Sequence, residues 1–368
     1  MLFFTFETMG NFVVSALKYR PQVFEDVVGQ QSITQTLENA IEKNQLPQAL
    51  LFCGPRGVGK TTCARILAKK LNTPKGETLD PAQDYAFNIF ELDAASNNSV
   101  EDIRSLNEQV RITPQVGQFK IFIIDEVHML SIQAFNAFLK TLEEPPKHAV
   151  FILATTEKHK IIPTILSRCQ VFDFKRITVS DIEKHLAKIA QDKGIVFDSQ
   201  ALRIIADKAD GALRDALSIF DRMANFCDNE LTVARVSENL RILDYSTYIQ
   251  LTEKILENNI PEVLTTYDGI LQKGFEGANF INGLSSHFRN LMLSKDPRTL
   301  PILEMNDEMQ TQYLAQTEAI LPQLLIQAID LCNACELQYK ASQNKRLHIE
   351  LCLMQLCSLH TDGEKKKG

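Results

Sequence analysis

Along the first half of the chain, short apolar runs alternate with segments whose apolar residues recur at helical spacing. The runs are Ala49–Cys53, Ile89–Asp93, Lys120–Ile124, Ala149–Ala154 and Gln170–Phe174. Each has the length and the polar or glycine-bounded flanks of a strand. Between them, Ser32 can cap a helix through Leu37, Ala40 and Ile41 that ends near Asn44. Thr62–Leu71 and Ile132–Leu142 read as helices, the second stopped by Pro145-Pro146, and Ile161–Leu166 as a short one. Ser99–Val110 reads as another, with Ser96, Asn97 or Asn98 available as its N-cap. Residues 72–86 are polar, hold Pro74, Gly76 and Pro81, and read as a loop. Strands alternating with helices predict an α/β domain, a parallel sheet with helices on both faces. After Arg176 the strand pattern stops. Residues 180–242 read as about four short helices and 246–360 as several longer ones. The expected layout is an extension (1–15), an α/β domain (16–176), a small helical domain (177–243), a second helical domain (244–360) and a charged tail (361–368).

Composition refines this. The 368 residues are 45 % hydrophobic and 23 % charged, an ordinary globular balance. A formal charge of −7 excludes a basic coat for nucleic acid, so any such contact is local. Residues 1–175 carry 18 Lys/Arg against 19 Asp/Glu, and residues 176–368 carry 21 against 27, so the first half is the better candidate to meet a polyanion. Eight scattered cysteines are too sparse for a disulfide scaffold and predict free thiols in a reducing cytoplasm. No apolar run is long enough for a membrane helix, so no membrane partner is expected. The apolar N-terminus is interrupted by Glu7, Gly10 and Asn11, lacks a cation before Lys18 and is a poor signal peptide. Met9 is the expected natural start.

Gly54-Pro-Arg-Gly-Val-Gly-Lys-Thr61 fits G-x-x-x-x-G-K-[ST] between a predicted strand and a predicted helix. Its backbone N–H groups can cradle phosphates at the helix N-terminus. Lys60 would reach the β- and γ-phosphates and Thr61 would ligate Mg2+. Gly54, Pro55, Arg56, Gly57, Val58, Gly59, Lys60, Thr61 and the following Thr62 are the phosphate-binding candidates. Ile121–Glu126 is an apolar strand ending in two acids: Asp125 can hold the Mg2+ shell and Glu126 can polarise the attacking water. Thr156, near the end of the next strand, would touch the γ-phosphate or merely cap the strand. Arg168 and Arg214 are of the type that neutralises a transferring phosphoryl group. Surface ion pairs are the commoner fate of arginine, and the residues alone do not choose between the two. Asn98 and Ser99 precede a helix whose free N-terminal amides would bind phosphate, with Arg104 adding charge; the plain alternative is a helix cap.

Taken together, several motifs resemble the gamma/tau subunits of the bacterial DNA polymerase III clamp loader, which are AAA+ ATPases. They are Lys18-Tyr-Arg-Pro21, Phe24-Glu-Asp-Val-Val-Gly-Gln30, the phosphate loop, Glu91–Asn97, Asp125–Ser131, Phe138–Pro146, Ile165–Cys169 and Gly211–Leu217. The resemblance implies an AAA+ sheet domain, a helical lid and a helical collar. ATP would bind between the first two domains, with Val28 and Gly29 near the adenine. Thr156 would be the first sensor, Arg214 the second, and Arg168 would act on a neighbour's nucleotide. The implied partners are delta, delta-prime and further copies of the chain, the sliding clamp and primed DNA. Opposed readings are an ATP-binding scaffold and another AAA+ DNA-processing ATPase, such as a Holliday-junction motor.

The chain departs from that pattern in two places. Members carry four zinc-binding cysteines before the Glu91 strand, whereas residues 72–88 hold neither cysteine nor histidine. No zinc is therefore expected. Leu17 stands where the family has arginine. Cys332, Cys335, Cys352 and Cys357 lie within apolar helical patterns and read as core residues.

Overall fold

A computed structural model describes residues 13–74, 87–115, 117–240, 243, 245–303, 307–318 and 320–365. The expected start at Met9 and most of the cysteine-free loop lie outside these residues. The chain divides into two compact units, Met1–Val233 and Ala234–Gly368.

The first unit is built on a five-stranded parallel sheet of order β2-β3-β4-β1-β5. Its strands are β1 (Ala49–Cys53), β2 (Ile89–Asp93), β3 (Lys120–Asp125), β4 (Ala149–Thr155) and β5 (Gln170–Asp173). All five expected strands are present, within one residue at either end. The three central strands are apolar because both faces are covered. Side chains alternate across the sheet. Leu51, Phe122, Ile124, Phe151 and Leu153 pack beneath α4 (Val100–Arg111) and α5 (Ile132–Glu143). Leu50, Phe52, Ile121, Ile123 and Ile152 pack against α2 (Gln31–Glu42) and α3 (Lys60–Asn72). The unit's N-terminal helix is α1 (Ser15–Lys18), and α6 (Pro163–Leu166) leads into β5. Lys120, only 6 % exposed, donates from Nζ to the carbonyls of Gln109 (2.9 Å) and Ile112 (3.4 Å), closing the C-terminal end of α4.

Ser32 does not cap α2. The helix starts at Gln31, two residues earlier than a Ser32 cap would place it, with Gln30 at the N-cap position. The buried Gln30 side chain instead donates to the Lys175 carbonyl (2.7 Å) and accepts from its N–H (3.4 Å), fastening this segment to the end of β5.

The first unit continues with α7 (Val179–Lys193), α8 (Ser199–Lys208) and α9 (Leu213–Phe226), and α10 (Val233–Leu240) begins where the chain divides. The strands do not stop at Arg176. A parallel pair, β6 (Val196–Phe197) and β7 (Glu230–Leu231), ties α7 to the segment after α9. Two-residue strands are too short to leave an alternating pattern.

The second unit is helical: α11 (Tyr245–Leu256), α12 (Ile260–Gln272), α13 (Gly277–Leu293), α14 (Asp307–Glu318), α15 (Pro322–Tyr339) and α16 (Lys345–Lys365). Cys332, Cys335, Cys352 and Cys357 lie in its core beside Leu325 and Leu353, as their helical spacing implies. Among the described residues no single helix is long and apolar enough to cross a membrane.

Candidate active site

All three glycines of the loop between β1 and α3 have positive φ, and two of them illustrate distinct reasons. At Gly54 (φ +145°) a Cβ would come within 2.4 Å of the Phe174 carbonyl oxygen. Gly59 is the N-cap of α3 with φ 103°, where a side chain would have space but a strained backbone. Lys60 follows and folds back over the loop, donating from Nζ to the carbonyls of Gly54 and Pro55, both at 2.8 Å. Burial lowers its pKa, against the opposing pull of Glu126 and Asp125.

Thr61 Oγ donates to Asp125 Oδ2 at 2.7 Å. These are two hard oxygen donors of the kind Mg2+ takes from a protein. Glu126 lies next along the chain with φ 46° and ψ 43°, a left-handed conformation seldom adopted by glutamate. The turn is pinned on both sides: the Glu126 N–H donates to Asp125 Oδ1 (3.0 Å) and its carbonyl accepts from Met129 (2.8 Å). Its Oε2 accepts both the N–H (3.2 Å) and the hydroxyl (2.9 Å) of Thr156. Thr156 is thus joined to the acidic pair, while Thr155 is the residue buried at the strand end.

A cavity of about 170 Å3 brings most of the expected residues together. Val28, Arg56 to Thr62, Asp125, Glu126 and Arg214 line it. Gly29, Gly54, Pro55, Thr156 and Arg168 do not. Gly29 lies behind the wall, where a Cβ would press on Ile177 at 2.9 Å. Arg214 arrives on the first turn of α9, and its N–H donates to the Gly57 carbonyl (3.4 Å).

Several lining residues carry no sequence signal of their own beyond membership of a motif. Tyr19 and Arg20 come from the segment after α1, and Ile177, Leu213 and Leu217 form an apolar wall. Burial, then the neighbouring Arg65 and Arg214, draws the Arg20 pKa below the guanidinium norm. The segment is held by a buried carboxylate: the Ser15 N–H and hydroxyl donate to Asp221 of α9 (2.6 and 2.5 Å), and Lys193 of α7 donates to the same group (2.8 Å). Residues 206 positions apart in the chain give no local signal of such a bond.

Arg168 stands elsewhere, after α6. Its guanidinium donates to Glu143 Oε1 (2.6 Å) and to the Thr164 carbonyl (2.8 Å). At the start of α4 the expected free amide of Ser99 is engaged. Ser99 is the N-cap, and its own N–H is not free: it donates to Asp102 Oδ2 (3.1 Å), while the Asp102 N–H donates to Ser99 Oγ (3.2 Å). This is a reciprocal capping box. Arg104 is exposed, 3.9 Å from Glu101.

Three stretches of the chain match known families. Residues 29–178 match "DNA polymerase III, delta subunit", residues 181–229 the "DNA polymerase III clamp loader subunit, ATPase lid domain", and residues 231–367 "DNA polymerase III subunits gamma and tau domain III". The DNA polymerase III subunit tau of Bacillus subtilis strain 168 is 39 % identical over 352 residues, covering 92 % of this chain and 62 % of that protein. The tau subunit of Escherichia coli K12 is 38 % identical, covering 95 % and 56 %. The chain thus spans about three fifths of the length of these relatives. The gamma subunit of Buchnera aphidicola subsp. Schizaphis graminum is 35 % identical, covering 94 % of this chain and 98 % of that protein. Among solved structures, a mutant RuvB of Thermotoga maritima superposes with a TM-score of 0.50 at 18 % identity, covering 70 % of this chain and 86 % of that one. That likeness is one of fold.

Proposed function

The chain belongs to the family of DNA polymerase III gamma and tau subunits, and on that footing we propose that it is an ATP-hydrolysing subunit of a clamp loader. The observation that carries this reading is the convergence of the phosphate loop, Asp125, Glu126 and Arg214 on one cavity. A scaffold that only bound ATP would need neither an acid set beside the metal-binding pair nor a threonine holding that acid.

In this reading the loop amides and Lys60 hold the β- and γ-phosphates, and Thr61 with Asp125 holds Mg2+. The metal, when bound, neutralises charge on the phosphate oxygens. Glu126 orients and polarises the water for attack on the γ-phosphorus. Thr156 keeps the Glu126 carboxylate aimed and senses the γ-phosphate. Arg214 offers its charge from the lid, so nucleotide binding is felt by α9. Tyr19, Ile177 and Leu217 provide an apolar bed for the base, with Val28 and Gly29 on the loop beside it. Arg168 serves the nucleotide of a neighbouring subunit. Copies of the chain, with delta and delta-prime, would use ATP binding to open the sliding clamp around primed DNA in the cytoplasm, and hydrolysis to release it. The start of α4, with Asn98 and Arg104, is the proposed DNA contact.

The test is ATP turnover of the assembled loader alone, with clamp, and with clamp plus primed DNA. Clamp and DNA together should stimulate more than the sum of either. Turnover indifferent to both would discard the clamp-loading reading while leaving the ATPase.

A further inference from the structure

His128 is the middle residue of the 3-10 turn, Val127–Met129, that follows Glu126. Its side chain is only 6 % exposed, yet the proposed hydrolysis asks nothing of a histidine. The ring bridges the segments that end β3 and β4. Nδ1 shares a hydrogen bond with Thr155 Oγ1 (3.0 Å) and stands 3.4 Å from Glu126 Oε2. On the other side of the ring, Nε2 stands 3.2 Å from Glu157 Oε1. Thr155 Oγ1 also accepts the Glu157 N–H (3.0 Å). Thr155 and Glu157 therefore grip the imidazole from both sides. Between them in sequence sits Thr156, which donates its N–H and its hydroxyl to Glu126 Oε2. Glu157 is anchored in turn by Lys160, whose Nζ donates to the same Oε1 at 2.9 Å. Of these residues only Glu126 lines the cavity.

We infer that His128 is a positioning residue for Glu126. By pinning Thr155 and Glu157 it fixes Thr156, and Thr156 fixes the direction in which the Glu126 carboxylate presents its other oxygen. The left-handed turn at Glu126 makes this support necessary, because a backbone in a sparsely populated region is held by its surroundings. The inference rests on the ATPase reading. It separates binding from hydrolysis: the phosphate loop is untouched, so affinity stays, while a carboxylate turned by a fraction of an ångström places water poorly.

The experiment uses the full chain and measures affinity for a fluorescent ATP analogue and single-turnover hydrolysis separately. His128→Phe keeps a ring in the buried position without polar atoms. Its hydrolysis should fall about tenfold or more, with affinity within about twofold of the parent. His128→Gln restores a donor and an acceptor and should recover at least about a third of the rate. Glu157→Ala should lower hydrolysis in the same affinity-sparing way and add little to His128→Phe, since both loosen one arrangement. Parental hydrolysis in His128→Phe, equal losses of affinity and rate, or no recovery with glutamine would overturn the inference. Should His128→Phe fail to fold by thermal melting, Glu157→Ala decides alone, and parental hydrolysis there overturns it. Glu126→Gln is measured alongside: if it turns over normally, the ATPase reading falls; if it is inactive while His128→Phe is normal, only the role of His128 falls.

Discussion

Lys60 and Glu126 share a cavity but have different tasks, so their loss should look different. In the proposed site Lys60 supplies phosphate contacts already present in the ground state, and Lys60→Ala should abolish nucleotide binding in a titration with a fluorescent analogue. In the proposed reaction Glu126 acts on the attacking water. Glu126→Gln should leave binding intact and cut phosphate release at least about 100-fold. Normal turnover in Glu126→Gln would remove the assignment. The two residues were legible because the loop motif and the strand-end acids are contiguous, and each position is constrained by its immediate neighbours. Thr155, His128 and Gln30 were not, because their partners lie 27 to 145 residues away. His287 is another such residue. It is buried in α13, where Nδ1 shares a hydrogen bond with the Tyr313 hydroxyl (2.8 Å). Burial pushes its pKa down to about 4, against a weaker pull from Gln316. The native state therefore holds His287 neutral, and the unfolded state takes up the proton first as pH falls. Its contribution is complete above about pH 6.5 and is lost progressively toward pH 4, by about 3 kcal/mol in all. Denaturant melts at pH 7 and pH 4.5 should differ by less in His287→Phe than in the parent. An equal pH dependence in both would show that other groups set the acid limb.

At the scale of elements, the helix α4 shows how one end can be asked to do two things. Ser99 and Asp102 exchange hydrogen bonds across its first turn, so Ser99→Ala should cost about 1 kcal/mol in stability. A phosphate arriving there meets amides partly claimed by Asp102, with Glu101 also in the first turn. The proposed DNA contact therefore leans on Asn98, on the remaining first-turn amides and on Arg104. Asn98→Glu adds a charge at that end without touching the capping pair. It should weaken primed-DNA affinity and DNA-stimulated turnover of the assembled loader, while basal turnover and clamp binding persist. The measurement belongs at low salt, where phosphate contacts count most. Unchanged affinity there would leave α4 a capped helix and nothing more. Elements of this kind were readable when their pattern was long: five apolar runs became five parallel strands, while their order, with β1 between β4 and β5, leaves no mark in the pattern. Caps were less readable, because Ser32 and Gln30 compete for one helix start, and a tertiary bond to Lys175 settles it. The β6–β7 pair left no trace at all, since two residues cannot display a period.

At the scale of the whole molecule, the proposed role of Arg168 bears on whether this chain works alone. It does not line its own cavity, and its guanidinium is tied to Glu143 at the end of α5. Both side chains are partly exposed, at 33 % and 48 %. Ion pairs of that exposure are worth only about 0–1 kcal/mol. Exchanging Glu143 for a phosphoryl group is therefore cheap, and a bidentate guanidinium–phosphate contact is the stronger of the two. In the proposed assembly the group that Arg168 would meet belongs to another copy, so its role leaves no local signal beyond the short Ile165–Cys169 motif. The isolated chain and the assembly should consequently respond differently. Arg168→Ala should bind ATP with parental affinity as an isolated chain, since nothing in its own cavity changes. In the assembled loader the same substitution should abolish the stimulation of hydrolysis by clamp and primed DNA. Glu143→Gln, which weakens the competing pair and keeps the arginine, should retain that stimulation. Loss of ATP affinity in the isolated Arg168→Ala chain would instead assign the arginine to its own site and deny the trans contact.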